Sequence, residues 1–254
     1  VPDAFDLSGK VAVVTGGSRG LGREMCLAYA RHGASVVVAS RKLEACQDLA
    51  REIEAETGQA ALAVACHVGQ WTDCEALAEA SYEAFGQVDI LVNNAGMSPL
   101  YPSLGEVSEE LYDKVLAVNL KGPFRLSALF GERMAAGEGG SIINVSSIAA
   151  VSPSPREVPY AAAKAGLNNL TLALARSLAP KVRVNCIMPG SFMTDISKAW
   201  PPELVAGLAR GVPLGRGGEP SEIVGAALYL ASDAASYTTG AVLKIDGGAV
   251  APPA

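Results

Sequence analysis

The feature that most constrains this chain lies near its start. Val11 to Val14 is a short β-branched run, followed at once by Thr15-Gly16-Gly17-Ser18-Arg19-Gly20-Leu21-Gly22 and then by a helical pattern from Leu21 to His32. A strand of this kind is suited to burial on both faces, as in a parallel sheet. A glycine-rich turn between such a strand and a helix start forms an anion site, because unpaired backbone N–H groups and the positive helix end converge on it. The spacing G-x-x-x-G-x-G differs from the G-x-G-x-x-G dinucleotide fingerprint. Taken alone, it also suits a plain turn before a glycine-capped helix.

Further strands repeat the unit. Ser35 to Ala39 reads as a second strand, Leu43 to Glu56 as a helix and Ala60 to Ala65 as a third strand, completing a βαβαβ mononucleotide-binding half. Asp73 to Phe85 is predicted helical, capped by Thr72 or Asp73, and Asp89 to Val92 is a fourth strand ending in Asn93-Asn94-Ala95-Gly96. Asn and small residues there suit a backbone packed against a nucleotide, or an ordinary strand-end turn. Ser108 to Met134 is predicted as one long helix capped by Ser108. It holds Asn119 between apolar neighbours, and Pro123 should disturb the backbone ladder and free carbonyls near Asn119. Ser141 to Val145, Val182 to Ile187 and Ala241 to Ile245 supply the remaining strands, with helices over about 159–178 and 219–231. The irregular 191–218 segment, with Phe192, Met193, Ile196, Trp200 and Leu204, is either a substrate lid or a packed surface excursion. No repeat or linker divides the chain, so residues 1–254 are expected to form one domain.

At the end of the second strand, the place where an acidic residue would take the adenosine ribose hydroxyls holds Ser40-Arg41-Lys42 instead. A carboxylate would repel a 2′-phosphate, whereas Arg41, with Arg19 from the glycine turn, can clamp one by charge-assisted hydrogen bonds. This favours NADP(H) over NAD(H). The alternative is that Arg41 and Lys42 are a solvated helix start.

The chemistry-bearing stretch is Ser147 to Lys164, SIAAVSPSPREVPYAAAK. Tyr160 and Lys164 stand one helical turn apart, with Cβ atoms expected about 5–6 Å from each other. A fixed ammonium beside a phenol should lower its pKa from about 10 toward about 7, at about 1.4 kcal/mol per pH unit. Ser147, after an apolar strand, can join Tyr160 as a donor pair for a carbonyl oxygen. In isolation Y-x-x-x-K is also an ordinary helix start with a solvated lysine; the phosphate-binding turn and Ser147 make it one part of a constellation.

Composition excludes other classes. The net charge is −6 with no extended basic cluster, which gives a nucleic-acid or anionic-membrane surface no electrostatic basis. Five cysteines without a C-x-x-C pair fit a reducing cytoplasm better than a disulfide framework, and two histidines with scattered cysteines give no metal-ligand spacing. No basic-then-apolar leader begins the sequence, and no apolar run reaches the ~18 residues of a membrane span. The expected partner is a small molecule.

In order and spacing, Thr15 to Gly22, Asn93 to Gly96, Asn119, Ser147, Tyr160, Lys164 and Pro189-Gly190 resemble the short-chain dehydrogenase/reductase family over nearly the whole chain. The resemblance implies a Rossmann-like, doubly wound, mostly parallel seven-stranded α/β sheet, assembled as a homodimer or homotetramer, that exchanges hydride between NADP(H) and a carbonyl or secondary alcohol. It implies Tyr160 as acid/base, Lys164 on the nicotinamide ribose, Ser147 orienting the substrate oxygen and Asn119 holding a relay water. The cofactor set it implies comprises Gly16, Ser18, Arg19, Gly20, Leu21, Gly22, Ser40, Arg41, His67, Val68, Asn94, Ala95, Gly96, Tyr160, Lys164, Pro189, Gly190 and Thr194. One departure is visible: the family often has an Asp where this chain has His67, so an adenine contact there must take another form. Reduction of a C=C bond in an enoyl thioester is disfavoured, because members with that activity usually space Tyr and Lys farther apart. A protein that binds NADP(H) as a sensor or scaffold without turnover is the alternative class; the intact Asn-Ser-Tyr-Lys set argues against it.

Overall fold

A computed structural model describes residues 4–194, 203, 207 and 209–250. Seven strands form one parallel sheet in the order β3-β2-β1-β4-β5-β6-β7: β1 Val11–Thr15, β2 Ser35–Ser40, β3 Ala61–Ala65, β4 Ile90–Asn93, β5 Gly140–Val145, β6 Val182–Pro189 and β7 Val242–Ile245. The helices between them are α1 Gly20–Arg31, α2 Leu43–Thr57, α3 Trp71–Phe85, α4 Glu109–Leu116, α5 Gly122–Ala136, α6 Val158–Ser177 and α7 Val224–Ala231.

Alternation along the strands builds a core on each face. Ala12 and Val14 of β1 pack with Met25 and Tyr29 of α1, Leu49 and Ile53 of α2 and Leu228 of α7. Val11 and Val13 pack with Leu77 of α3, Leu126 and Phe130 of α5 and Leu174 of α6. All five β1 residues are buried, which is why that strand reads as an unbroken apolar run. Because β1 pairs with both β2 and β4, the chain crosses over in opposite directions there and a crevice opens at the carboxyl ends.

Three local expectations need correction. The 108–134 helix is not continuous: α4 and α5 are joined by a π-helical turn, Ala117–Lys121. Pro123 has no N–H for the carbonyl of Asn119, and the widened turn accommodates that loss. Ser108 does cap α4, accepting from Leu111 N at 3.1 Å. Neither Thr72 nor Asp73 caps α3. The cap position is Gln70, without a side-chain bond, and Asp73 Oδ2 instead accepts from His67 N at 2.9 Å. The 219–231 helix begins as a 3₁₀ turn, Pro220–Ile223, closed by a reciprocal Glu219–Glu222 capping box.

Of the expected lid, Ile196, Trp200 and Leu204 lie outside the described residues. At its edges Phe192 is buried, and Met193 N donates to Gly218 O at 2.7 Å. Among the described residues, no helix is long and apolar enough to cross a membrane.

Candidate active site

A cleft of about 590 Å³ opens at the carboxyl ends of β1, β2, β3 and β4. Its walls include most of the residues expected around a dinucleotide: Gly16, Ser18, Arg19, Gly20, Leu21, Ser40, Arg41, His67, Val68, Asn94, Ala95, Gly96 and Thr194. Lys42, read in the sequence beside Arg41, also lines it, as do Ala45, Cys66, Met97 and Val118, which no motif assigns to the cofactor. Gly22, Tyr160, Lys164, Pro189 and Gly190, also expected around the dinucleotide, do not line it. Gly22 has a packing duty, because a Cβ there would fall 2.3 Å from Gly16 O. Gly190 closes β6 by donating to Ile245 O at 2.9 Å.

The cleft suits an anion at its glycine end. Helix α1 starts without a side-chain cap and without an acidic residue in its first turn, so its first N–H groups stay available. Asn94 Nδ2 donates to Thr15 O at 2.9 Å and Gly16 O at 3.2 Å, fixing the turn against β4. At the end of β2, Ser18 Oγ donates to Ser40 Oγ at 3.0 Å, while Arg19, Arg41 and Lys42 are exposed. Among the described residues no carboxylate pairs with these three cations. A doubly charged phosphate fits here without displacing an ion pair.

The catalytic candidates converge behind Gly96. A Cβ on that residue would meet Asn119 Oδ1 at 3.0 Å and Lys164 Nζ at 3.6 Å, so its lack of a side chain lets both groups reach the cleft wall. Asn119 is fully buried at the π turn. Its Oδ1 accepts from Met97 N at 3.2 Å, and its Nδ2 donates to Met97 O at 2.8 Å and Val115 O at 2.9 Å. Asn119 therefore has a structural role: it pins the segment after β4 and satisfies a carbonyl near the helix break.

Helix α6 carries Tyr160 and Lys164 on one face, with Nζ 5.7 Å from the ring centre. Lys164 is buried, and its Nζ donates to Val145 O at 2.7 Å. Desolvation lowers this amine to about 8. Ser147 Oγ accepts from Ala149 N at 3.1 Å, which leaves its own proton free to donate. The nearby Ser147 hydroxyl favours the phenolate, but burial of the phenol is the larger effect and Tyr160 is pushed up. The expected downward shift is thus not found: the direction is upward. The ammonium is turned to the Val145 carbonyl, and desolvation of the hydroxyl decides the direction.

Beneath the site runs a buried polar chain with no precedent in the motif reading. Asn93 Nδ2 donates to Asn144 Oδ1 at 2.9 Å and Ser127 Oγ at 3.0 Å, and Asn144 Nδ2 donates to Thr171 Oγ1 at 2.9 Å. It joins β4 and α5 to β5, which Ser147 follows, and to α6, which carries Tyr160 and Lys164. Asn144 within the apolar Ser-Ile-Ile-Asn-Val run was the available signal, since a buried amide requires partners.

Known proteins agree with this architecture. The family described as Enoyl-(Acyl carrier protein) reductase matches residues 16–250. The short chain dehydrogenase/reductase astE of Aspergillus oryzae is 39% identical over 252 residues, 96% of each chain. A short-chain type dehydrogenase/reductase from Mycobacterium marinum superposes with a TM-score of 0.93 at 37% identity, covering 98% of this chain and 99% of that one. NADPH-dependent 3-quinuclidinone reductase from Rhodotorula rubra superposes with a TM-score of 0.92 at 31% identity, covering 97% of this chain and 93% of that one. With its parallel sheet, cleft and Ser-Tyr-Lys face, the chain belongs to the short-chain dehydrogenase/reductase family of oxidoreductases.

Proposed function

We propose that this protein is an NADP(H)-dependent oxidoreductase of a carbonyl and its secondary alcohol, with Tyr160 as the general acid/base. The observation that carries the reading is Gly96, a wall residue of the cleft directly backed by Asn119 Oδ1 and Lys164 Nζ. It joins the dinucleotide-sized cleft to the proton-transfer groups.

A nicotinamide bound in the cleft would give or take the hydride. The protein's part is positioning and proton handling. Ser147, with its oxygen already accepting from Ala149 N, presents its proton to the substrate oxygen. Tyr160 delivers or removes the proton on that same oxygen. In the reduction direction a phenol pushed up by burial is already in its acid form at neutral pH. Lys164 at about 8 remains mostly protonated there and supplies the positive field that tempers the phenolate once the proton leaves. Asn119 holds the segment after β4 at the cleft wall through its paired bonds to Met97.

Exposed Arg41 and Lys42 beside Ser40 support NADP(H) over NAD(H), and the NADPH dependence of the Rhodotorula reductase agrees. Ketone reduction is favoured over C=C reduction by the Tyr160–Lys164 spacing. The test is NADPH absorbance against a panel of ketones and enoyl thioesters: ketone-dependent oxidation supports the reading, consumption with enoyl thioesters alone replaces it, and binding without any turnover supports a sensor.

Self-association accompanies this reading. Phe124 is exposed on the face formed by α4, the π turn, α5 and α6, where Leu120 and Leu170 flank a depression of about 910 Å³. Burial of such a face is favourable in proportion to its apolar area. Light scattering is expected to show a dimer or tetramer at micromolar concentration; a monomer rejects it. The fold, the reducing-type cysteine usage and the family resemblance are compatible with the cytoplasm as its place of action.

A further inference from the structure

Tyr101 belongs to no motif and lies in the irregular stretch between β4 and α4. Its hydroxyl donates to Pro155 O at 3.1 Å and accepts from Val158 N at 2.8 Å. The one proton of this phenol is thus committed to a carbonyl, which leaves Tyr101 none to donate to a substrate.

The two bonds meet the start of the helix that carries Tyr160 and Lys164. Val158 opens α6, whose cap residue Glu157 supplies no side-chain bond, and the next residue, Pro159, has no N–H. Tyr101 therefore caps α6 from 57 residues away. The loop that joins Ser147 to Tyr160 has little else to fix it. Val151 N and Ser152 N donate to Ile148 O, Ser154 N to Glu157 Oε1, Arg156 N to Ser154 Oγ and Glu157 N to Ser154 O, all of them local. Among the described residues, the bonds to Tyr101 are the only hydrogen bonds that tie residues 151–158 to a distant part of the chain.

The strip that ends in Tyr101 is itself anchored. Both backbone groups of Met97, a residue of the cleft wall, are held by the Asn119 amide. Residues 97–101 thus form a brace, fixed to the π turn at one end and to the first residue of α6 at the other.

We infer that Tyr101 is a positioning residue for the proposed reaction: its hydroxyl sets the start of α6 and, through it, the place of Tyr160 relative to Ser147 and the cleft. This rests on Tyr160 being the acid/base of that reaction.

Tyr101→Phe keeps the ring and removes both bonds. Pro155 and Val158 are exposed, so water takes the place of the hydroxyl and the unfolding midpoint is expected to stay close to that of wild type. Enzyme loaded with one equivalent of NADPH is mixed with a saturating concentration of the best ketone of the panel, and the first turnover is followed by stopped flow. A misplaced acid slows every competent site, so the rate constant is expected to fall about tenfold at unchanged amplitude, with NADPH affinity by calorimetry unchanged. A merely structural role would lower the amplitude, which counts competent sites, and leave the rate constant as it is. A wild-type rate constant overturns the inference alone. Hydrogen exchange reads the brace in wild type, without the variant: the Val158 amide is expected to be protected although it stands first in its helix, and a freely exchanging amide likewise overturns the inference alone. Absence of a first turnover in wild type with every ketone overturns the proposed reaction and this inference together.

Discussion

Lys164 and Val145 are joined by a 2.7 Å hydrogen bond that turns a buried ammonium onto the last carbonyl of β5, with Tyr160's ring centre 5.7 Å from the same nitrogen. The cation is held by the sheet rather than by the phenol. Burial accordingly keeps Tyr160 a neutral acid and makes Lys164 a weakened cation.

A stability prediction follows for Lys164. Its folded value, about 8 against an ordinary 10.5, means that the folded state resists the charge. The unfolded chain binds more protons between those values, so stability rises with pH from about 8 to 10.5 and the full penalty applies below 8. Lys164→Met removes a penalty of about 3 kcal/mol but also loses a hydrogen bond of about 1 kcal/mol. Urea unfolding at pH 7 should show a more stable, inactive variant, and the gain should shrink at higher pH. A loss of stability at pH 7 contradicts the burial argument.

Arg41→Ala tests the charge reading at the end of β2. Removing a guanidinium from a 2′-phosphate site should weaken NADPH and leave NADH nearly unchanged, with a loss of about tenfold or more for a charge-assisted contact. Steady-state kinetics with both cofactors measures it; an unaltered NADPH preference removes Arg41 from the role.

Asn144→Val should be destabilising by about 1–3 kcal/mol, because it leaves the Asn93 amide and the Thr171 hydroxyl with unmatched capacity in the core. Equilibrium unfolding checks the stability. Turnover should fall more than cofactor affinity, since the chain braces β5 and α6 rather than the glycine turn. An unchanged unfolding midpoint would show that the network is dispensable.

Much of this architecture was legible because its signals are local. Buried parallel strands must be apolar on both sides, and Val11 to Val14 announces that directly. The glycine turn, Ser40-Arg41, Ser147 and Tyr160-Lys164 are short spacings on rigid elements, and the sheet brings them to one edge. What escaped depends on partners distant in sequence. Pro123 signalled trouble near Asn119, yet only packing determined that the relief is a π turn instead of a kink. Asp73 looked like a cap, but the neighbouring His67 backbone competes successfully for its carboxylate. The direction of Tyr160's shift needed three-dimensional burial, which a one-turn spacing to a lysine does not contain.

The most direct measurement is Tyr160→Phe, assayed for NADPH binding by calorimetry and for turnover with the best ketone of the panel. Retained affinity with turnover reduced by about 10²–10⁴, the usual worth of a positioned acid/base, is the predicted result. Turnover at the wild-type rate contradicts the assignment of Tyr160 as the group that moves the proton.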